Sequence, residues 1–155
     1  MTKETKPKVI KDPDADLPRK EWAHPVSTPR PVSDDFDAHK ARKSNDPGTD
    51  YVKARGSRVR SIHSGRVIAA HKTTDGPSGR YVVIDHGNGL VTRYLHLDEV
   101  TVRIGIRVLA GTIIGRVGGS GFGKENGYGP HLHFSVTRDG VYRDPEEFLR
   151  RRLTR

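Results

Sequence analysis

The run Gly129-Pro130-His131-Leu132-His133-Phe134-Ser135-Val136 sets two imidazoles two residues apart. Successive side chains of a β-strand point to opposite faces. His131 and His133 would therefore share one face while Leu132, Phe134 and Val136 pack into a core behind them. A buried sheet face has little use for two adjacent imidazoles. A metal centre or an acid–base site does, because imidazole both ligates metals and exchanges protons near neutral pH. Taken alone, the pair also fits ordinary surface or hydrogen-bonded histidines, so the rest of the chain must decide. Eight histidines are present, at positions 24, 39, 63, 71, 86, 96, 131 and 133. His86 falls in a hairpin turn, and His63 and His71 flank a strand, so all three read as surface residues. His96 differs. The alternation of Leu90-Val91-Thr92-Arg93-Tyr94-Leu95-His96-Leu97 places Thr92, Tyr94 and His96 on one face and Val91, Leu95 and Leu97 on the other, core-facing side.

The chemistry is bounded by what is missing. With no cysteine in the chain, a disulfide framework and a thiolate metal site are both excluded, so any zinc must be held by His and carboxylate ligands. No His-Glu-x-x-His segment exists to supply the glutamate base of other zinc proteases. Asp85 and Glu125 are carboxylates that could be recruited as bases, but their turn and loop positions point to the surface.

The elements that would position these residues are mostly short strands. Arg80 to Asp85 reads as a strand, His86-Gly87-Asn88-Gly89 as a hairpin turn whose Asn-Gly pair tolerates positive φ, and Leu90 to Leu97 as the return strand. Further strands are expected at Arg58 to Ile62, Gly65 to Ala70, Arg107 to Leu109, Thr112 to Val117 and His131 to Thr137. Many short strands at close spacing predict a mostly β, antiparallel sandwich or barrel. The stretch GGSGFGKENGYGP at 118–130 leads straight into the histidine strand. It has neither a Gly-Lys-Ser/Thr nor a following helix, which excludes a phosphate-binding loop and favours a mobile rim beside a site. Asp144-Pro145-Glu146-Glu147 predicts a short C-terminal helix with Asp144 as N-cap, Pro145 at the first helical position and Glu147 completing a capping box; the arginines that follow sit at the negative end of its dipole.

Residues 1–31 are polar, charged and proline-bearing and read as a flexible arm, with Trp22 and His24 placed to pin it against the domain. Residues 32–145 form one domain and 146–155 a short basic helix and tail. Hydrophobic residues make up 32% of the 155-residue chain and charged residues 30%, which fits one modest core plus segments that pack nothing. The net charge of +9 predicts attraction to polyanions such as nucleic acid, anionic membranes or an anionic cell wall. Ten dispersed aromatic residues (one Trp, five Tyr, four Phe) offer no stacking platform for a specific nucleic acid. No apolar stretch matches a signal-peptide core or a membrane span.

In order along the chain stand Gly48-Thr49-Asp50, Ile84-Asp85-His86-Gly87-Asn88-Gly89, Tyr94-Leu95-His96-Leu97, Gly115-Arg116-Val117-Gly118 and Gly129-Pro130-His131-Leu132-His133-Phe134. Together they resemble the lysostaphin-like (LytM-type) zinc metallopeptidases, which cut peptide bonds in bacterial peptidoglycan. The resemblance spans roughly residues 32–145. It implies a single lysostaphin-like β-domain of the duplicated hybrid-motif type, with an open groove and one zinc ion per chain. It implies His39, Asp50 and His133 as zinc ligands, and His96 and His131 as catalytic groups. The family's first His commonly lies four residues before the Asp, where this chain has Asp46. His39 then supplies that ligand from eleven residues upstream, with His24 as the alternative. Two imidazoles and one carboxylate would leave a fourth position for water, as in catalytic rather than structural zinc sites. The resemblance further implies a monomeric peptidoglycan hydrolase, active on the cross-bridge or the stem peptide, with anionic wall polymers as possible partners. Without a visible export signal, a phage lysin or virion-associated enzyme is the expected setting, and a secreted enzyme is the competitor. A non-catalytic wall-binding or regulatory module on the same fold is the alternative function.

Overall fold

Short β-branched and aromatic runs separated by glycine turns fold as the sequence pattern predicts. The computed structural model describes residues 21–153; the first 20 residues of the expected arm lie outside them. The elements run β1 (Val32–Asp34), α1 (Phe36–Ala41), β2 (Thr49–Val52), β3 (Arg58–Arg60), β4 (Gly65–His71), β5 (Arg80–Gly87), β6 (Leu90–Val100), β7 (Arg107–Val108), β8 (Ile113–Val117), β9 (His131–Arg138), β10 (Val141–Arg143) and α2 (Pro145–Leu153). The sheet order is β1-β2-β9-β6-β5-β4-β7, with β10 beside β9 and β8 joining β3 to the far end of β6. Every pairing between these strands is antiparallel.

The β5–β6 hairpin turns at Asn88 and Gly89, whose φ values of 53° and 79° are the left-handed conformations an Asn-Gly turn supplies. β6 is the strand on which the fold depends. Its first half lies between β5 and β9; beyond Leu95 it leaves β9 and pairs with β8 through Leu97, Glu99 and Val100, while Leu97 still faces Arg80 of β5. A strand that changes neighbours in this way needs an irregularity at the corner. Here it is His96, at φ +65°.

That corner corrects the expected alternation of β6. Thr92 and Tyr94 are fully buried, and Tyr94 belongs to the hydrophobic core. Tyr94 pairs across the sheet with Phe134, and Leu95 with His133. Regular alternation would therefore send His96 into the core with Tyr94, and would set Leu95 on the opposite face with His133. The positive φ of His96 breaks the period and lets Leu95 and His96 line the same groove.

The core joins Val67, Val82, Ile84, Leu97, Ile114, Val117, Leu132, Phe134 and Val136, all fully buried. On β9 the apolar residues alternate inward as expected, leaving His131, His133 and Ser135 on the other face. α2 closes the core with Phe148 and Leu149. Asp144 Oδ1 accepts from the backbone N–H groups of Glu146 and Glu147, so its N-cap role holds. Glu147 turns instead to Arg151, at 3.4 Å, rather than back towards the cap.

Two surface expectations also change. The chain ceases to be a free arm well before residue 31, because Val26 is buried in the core, while Trp22 pins it as expected, stacking on His63 with ring centroids 3.9 Å apart. His86 is not a surface turn residue. Its Nδ1 donates to the Ser64 carbonyl (2.8 Å), and its Nε2 is hydrogen-bonded to the Thr92 hydroxyl (2.7 Å), which in turn contacts the Tyr94 hydroxyl. Burial pushes its pKa down to about 4. The hairpin position suggested exposure, but the ring folds back over the sheet to satisfy the polar groups Ser64 and Thr92 leave there.

Candidate metal centre and active site

β9 supplies His131 and His133 on one face, and each neighbouring strand adds a partner beside them. On β2, Asp50 stands directly opposite His133 and Val52 opposite His131. Directly opposed residues of an antiparallel pair share a face with side chains in contact. Asp50 Oδ1 accordingly lies 2.7 Å from His133 Nδ1 and 3.8 Å from His131 Nε2. The close β2–β9 approach requires Gly48, where a Cβ would stand 2.3 Å from the Phe134 carbonyl oxygen.

His39 arrives from a helix that the sequence pattern did not disclose. Asp35 caps α1 by accepting from the Ala38 N–H at 2.9 Å, and the helix buries Phe36 and His39, three residues apart on one face. The His39 Nδ1–H donates to the Asp35 carbonyl at 2.9 Å. That fixes the tautomer and leaves the Nε2 lone pair aimed at the Asp50 carboxylate, 3.5 Å away. His39, Asp50 and His133 each offer one donor atom, and the three atoms lie within 4.8 Å of one another. These donors could hold a divalent ion. Two imidazoles and one carboxylate with no thiol suit zinc, and the non-ligating nitrogen of each ring is already tied to a protein oxygen, as orienting partners of zinc ligands require. His24 lies elsewhere, in a separate cavity lined with Arg30, Glu146 and Leu149.

The other two histidines face the same groove, whose volume is about 430 Å³. His96 donates from Nδ1 to the Ser120 carbonyl (3.0 Å) and His131 from Nδ1 to the Gly129 carbonyl (2.8 Å). Each therefore keeps Nε2 as its free nitrogen. Their rings are 4.9 Å apart, and the His96 and His133 rings 6.1 Å apart. Burial first, and the neighbouring His131 second, lower the His96 pKa to about 4, so His96 is a neutral base across the physiological range. The backbone strain at His96 is spent on placing that base at the groove.

Tyr128 forms the groove wall over these rings, its centroid 4.2 Å from His96 and 5.9 Å from His131. The glycine-rich 118–130 loop that carries it is tied down rather than loose. The Tyr128 hydroxyl donates to the Pro77 carbonyl, and the amides of Phe122 and Gly123 donate to Gly76 and Thr74. Glu125 holds both terminal nitrogens of Arg80, at 2.6 and 2.7 Å. That pairing, and the hydrogen bond from the Gly87 N–H to Asp85, keep both carboxylates out of the site.

Sequence reasoning missed Asp46, Ser135, Tyr142 and Tyr128. Asp46 Oδ2 lies 3.1 Å from His133 Nε2, and Ser135 and Tyr142 hydroxyls both donate to its carboxylate. Ser135 could have been found from the spacing of the histidine strand, since it continues the His131/His133 face. Asp46 is marked in the sequence only as the residue standing where the family's first His commonly lies, and Tyr142 carries no local signal.

With the geometry in hand, comparison with known proteins is informative. The model of Peptidase family M23 matches residues 44–145, and the chain belongs to that family. The chain is 34% identical over 115 residues to peptidoglycan DD-endopeptidase ShyC of Vibrio cholerae, covering 74% of this chain and 24% of that protein. It is 31% identical over 110 residues to the glycyl-glycine endopeptidase ALE-1 of Staphylococcus capitis, covering 68% and 29%. The crystal structure of a zinc-containing peptidase from Vibrio cholerae superposes with a TM-score of 0.66 at 33% identity, covering 78% of this chain and 37% of that one. The chain thus spans about a quarter of the length of the curated relatives it matches.

Proposed function

We propose that this chain is a zinc-dependent endopeptidase that hydrolyses peptide bonds of bacterial peptidoglycan, with His39, Asp50 and His133 as metal ligands and His96 and His131 as catalytic groups. The observation that carries the reading is the convergence of four imidazoles with the Asp50 carboxylate, drawn from α1, β2, β6 and β9, on one groove. Bound zinc would supply Lewis acidity, polarising the scissile carbonyl and acidifying a water molecule. The chain's own residues do the rest. His96, neutral and held through its Nδ1–H by the Ser120 carbonyl, takes the proton of the attacking water at Nε2. The proton His96 takes is the one delivered to the leaving amine, by His96 itself or relayed through Nε2 of His131, which the Gly129 carbonyl holds with its ring 4.9 Å from that of His96. Leu95, Pro77 and Tyr128 exclude water from the groove floor and wall.

The relatives named above act on different peptidoglycan bonds, one being a DD-endopeptidase and the other a glycyl-glycine endopeptidase. The proposal extends to either the stem-peptide link or the cross-bridge of the wall. The setting proposed with it is the bacterial cell wall, reached as a phage lysin or virion component, where a chain of net charge +9 is drawn to anionic polymers. Incubating zinc-loaded protein with defined muropeptides of both kinds and identifying new termini by mass spectrometry tests the reading. A new amino terminus at one bond type is expected. No release from any peptidoglycan type, with zinc confirmed bound, overturns it.

A further inference from the structure

His133 is gripped from both edges of its ring. On one edge Nδ1 meets Asp50; on the other, Nε2 meets the Asp46 backbone carbonyl at 2.8 Å and the Asp46 carboxylate at 3.1 Å. The Asp46 carboxylate is itself held in place. The Ser135 hydroxyl reaches its two oxygens at 3.0 and 3.1 Å, and the Tyr142 hydroxyl donates to Oδ1 at 2.7 Å. Arg93 lies over the Tyr142 ring, 5.8 Å from its centroid, and backs the clamp. The three residues come from different places: the loop between α1 and β2, the histidine strand itself, and β10.

We propose that Asp46 is a positioning residue for the metal centre: its clamped carboxylate accepts a hydrogen bond from the His133 Nε2–H and so turns the Nδ1 lone pair towards His39 and Asp50. The two nitrogens of an imidazole lie on opposite edges of the ring, so an ion bound at Nδ1 beside His39 and Asp50 cannot also be bound by a carboxylate lying on the Nε2 edge. A carboxylate at the second nitrogen fixes the tautomer and makes the ligating nitrogen more basic. The backbone carbonyl of Asp46 could fix the tautomer alone, so the contribution particular to the side chain is charge. Ser135 and Tyr142 donate to Asp46 and hold its carboxylate oriented against the Nε2 edge of His133. Three segments that share no sequence signal thus act on one ligand, and Asp46, one turn of loop before Asp50, becomes a support for the centre rather than part of it.

The inference rests on the zinc reading of the site, and the test separates the two. Zinc affinity is measured by chelator competition in the wild type and in Asp46→Asn, Asp46→Ala and Tyr142→Phe, together with the unfolding midpoint of each metal-free protein. The cobalt(II) absorption spectrum of each protein reports the ligand set. Nitrogen NMR of the zinc-loaded wild type reports the His133 tautomer without any substitution. Asp46→Asn is expected to lose roughly ten- to a hundredfold in zinc affinity with an unchanged cobalt spectrum, and Tyr142→Phe to lose less. The wild type is expected to carry its proton on His133 Nε2. Affinity within twofold of wild type in both Asp46 variants overturns the proposal, as does a proton on Nδ1. A cobalt spectrum altered by Asp46→Asn overturns it as well, by making Asp46 a direct ligand. If Asp46→Asn and Asp46→Ala do not fold, Tyr142→Phe and the tautomer decide. A wild type that binds no zinc defeats the zinc reading itself, and the inference with it.

Discussion

His39 Nε2 and Asp50 Oδ2 lie 3.5 Å apart although a helix end and a seven-residue loop separate them in the chain. The Asp35 carbonyl fixes the His39 tautomer from within the same helix, so this donor is oriented before any metal arrives. His39→Ala is expected to lose most bound zinc at micromolar free metal. His24→Ala is expected to keep it, because His24 lines a different cavity. Metal analysis after dialysis reads both; full zinc occupancy in His39→Ala would move the ligand role elsewhere.

His96 and His131 line the groove beside the three-donor cluster, His131 Nε2 standing 3.8 Å from Asp50 Oδ1, and neither is one of the three donors. Replacing either by Ala should leave zinc stoichiometry intact and lower muropeptide hydrolysis by roughly 10²–10⁴-fold, the usual worth of a positioned acid or base. The pKa of His96 near 4 adds a pH signature. Its base form predominates above that value, so activity should not decline from loss of this base until the pH falls below about 5. Full activity in His96→Ala would sink its catalytic assignment.

The β-rich class, the β5–β6 hairpin, the inward faces of β9 and the cap of α2 were all legible, because each rests on a local rule: period-two alternation, an Asn-Gly turn, or an N-cap next to a proline. The pairing of Asp50 with His133 was not legible from such rules. It depends on the register between β2 and β9, and strands so far apart in sequence carry no local trace of their register. α1 was hidden because six residues are too few to show a helical period. His96 is the instructive case. Its place at the groove was anticipated from alternation, yet the structure puts it there by breaking alternation, at the corner where β6 changes partners. Ser135 continues the His131/His133 face, and Asp46 stands out only as the position where the family's first His is replaced; their joint role with Tyr142 became visible only when three distant segments closed on one imidazole.

Gly48 controls how closely β2 approaches β9. A Cβ there would stand 2.3 Å from the Phe134 carbonyl oxygen, which is backbone and cannot swing away. Gly48→Ala should therefore push the start of β2 outward and carry Asp50 off its position opposite His133. The expected outcome is a loss of about 1–3 kcal/mol in stability, as for overpacking elsewhere, with zinc affinity falling alongside it. Denaturant unfolding and chelator competition on the same protein check both. Unchanged zinc affinity would show that the site tolerates a shift of this strand.

Acid should weaken the metal-free fold through His86, far from the metal donors. Burial depresses its folded pKa to about 4, whereas an unfolded histidine titrates near 6.5. A depressed histidine pKa means the unfolded chain binds the proton first. The stabilising effect is complete above pH 6.5 and is lost as pH falls towards 4, by about 3 kcal/mol at the limit. His86→Gln, which can still bond Ser64 and Thr92, should lack this component. Unfolding free energies of both proteins at pH 7 and pH 4.5 supply the comparison, and equal pH dependence would remove His86 from the account.

Tyr128 touches His96 with its ring and anchors to Pro77 with its hydroxyl, so packing and tethering can be separated by substitution. Tyr128→Phe keeps the wall over His96 and loses only the tether. The loop remains stitched by Arg80–Glu125 and by the amides of Phe122 and Gly123, so this variant should stay within a few-fold of wild-type kcat/KM. Tyr128→Ala removes the wall, frees the His96 ring and admits water to the base. A ring–ring contact is worth about 0.5–1.5 kcal/mol, which predicts a fall of roughly three- to tenfold in kcat/KM from lost orientation, more if water entry weakens the base. Zinc stoichiometry should be unchanged in both, since Tyr128 lies over His96 and His131 and not over the donor cluster. Equal losses in the Phe and Ala variants would instead place the contribution of Tyr128 in its hydroxyl.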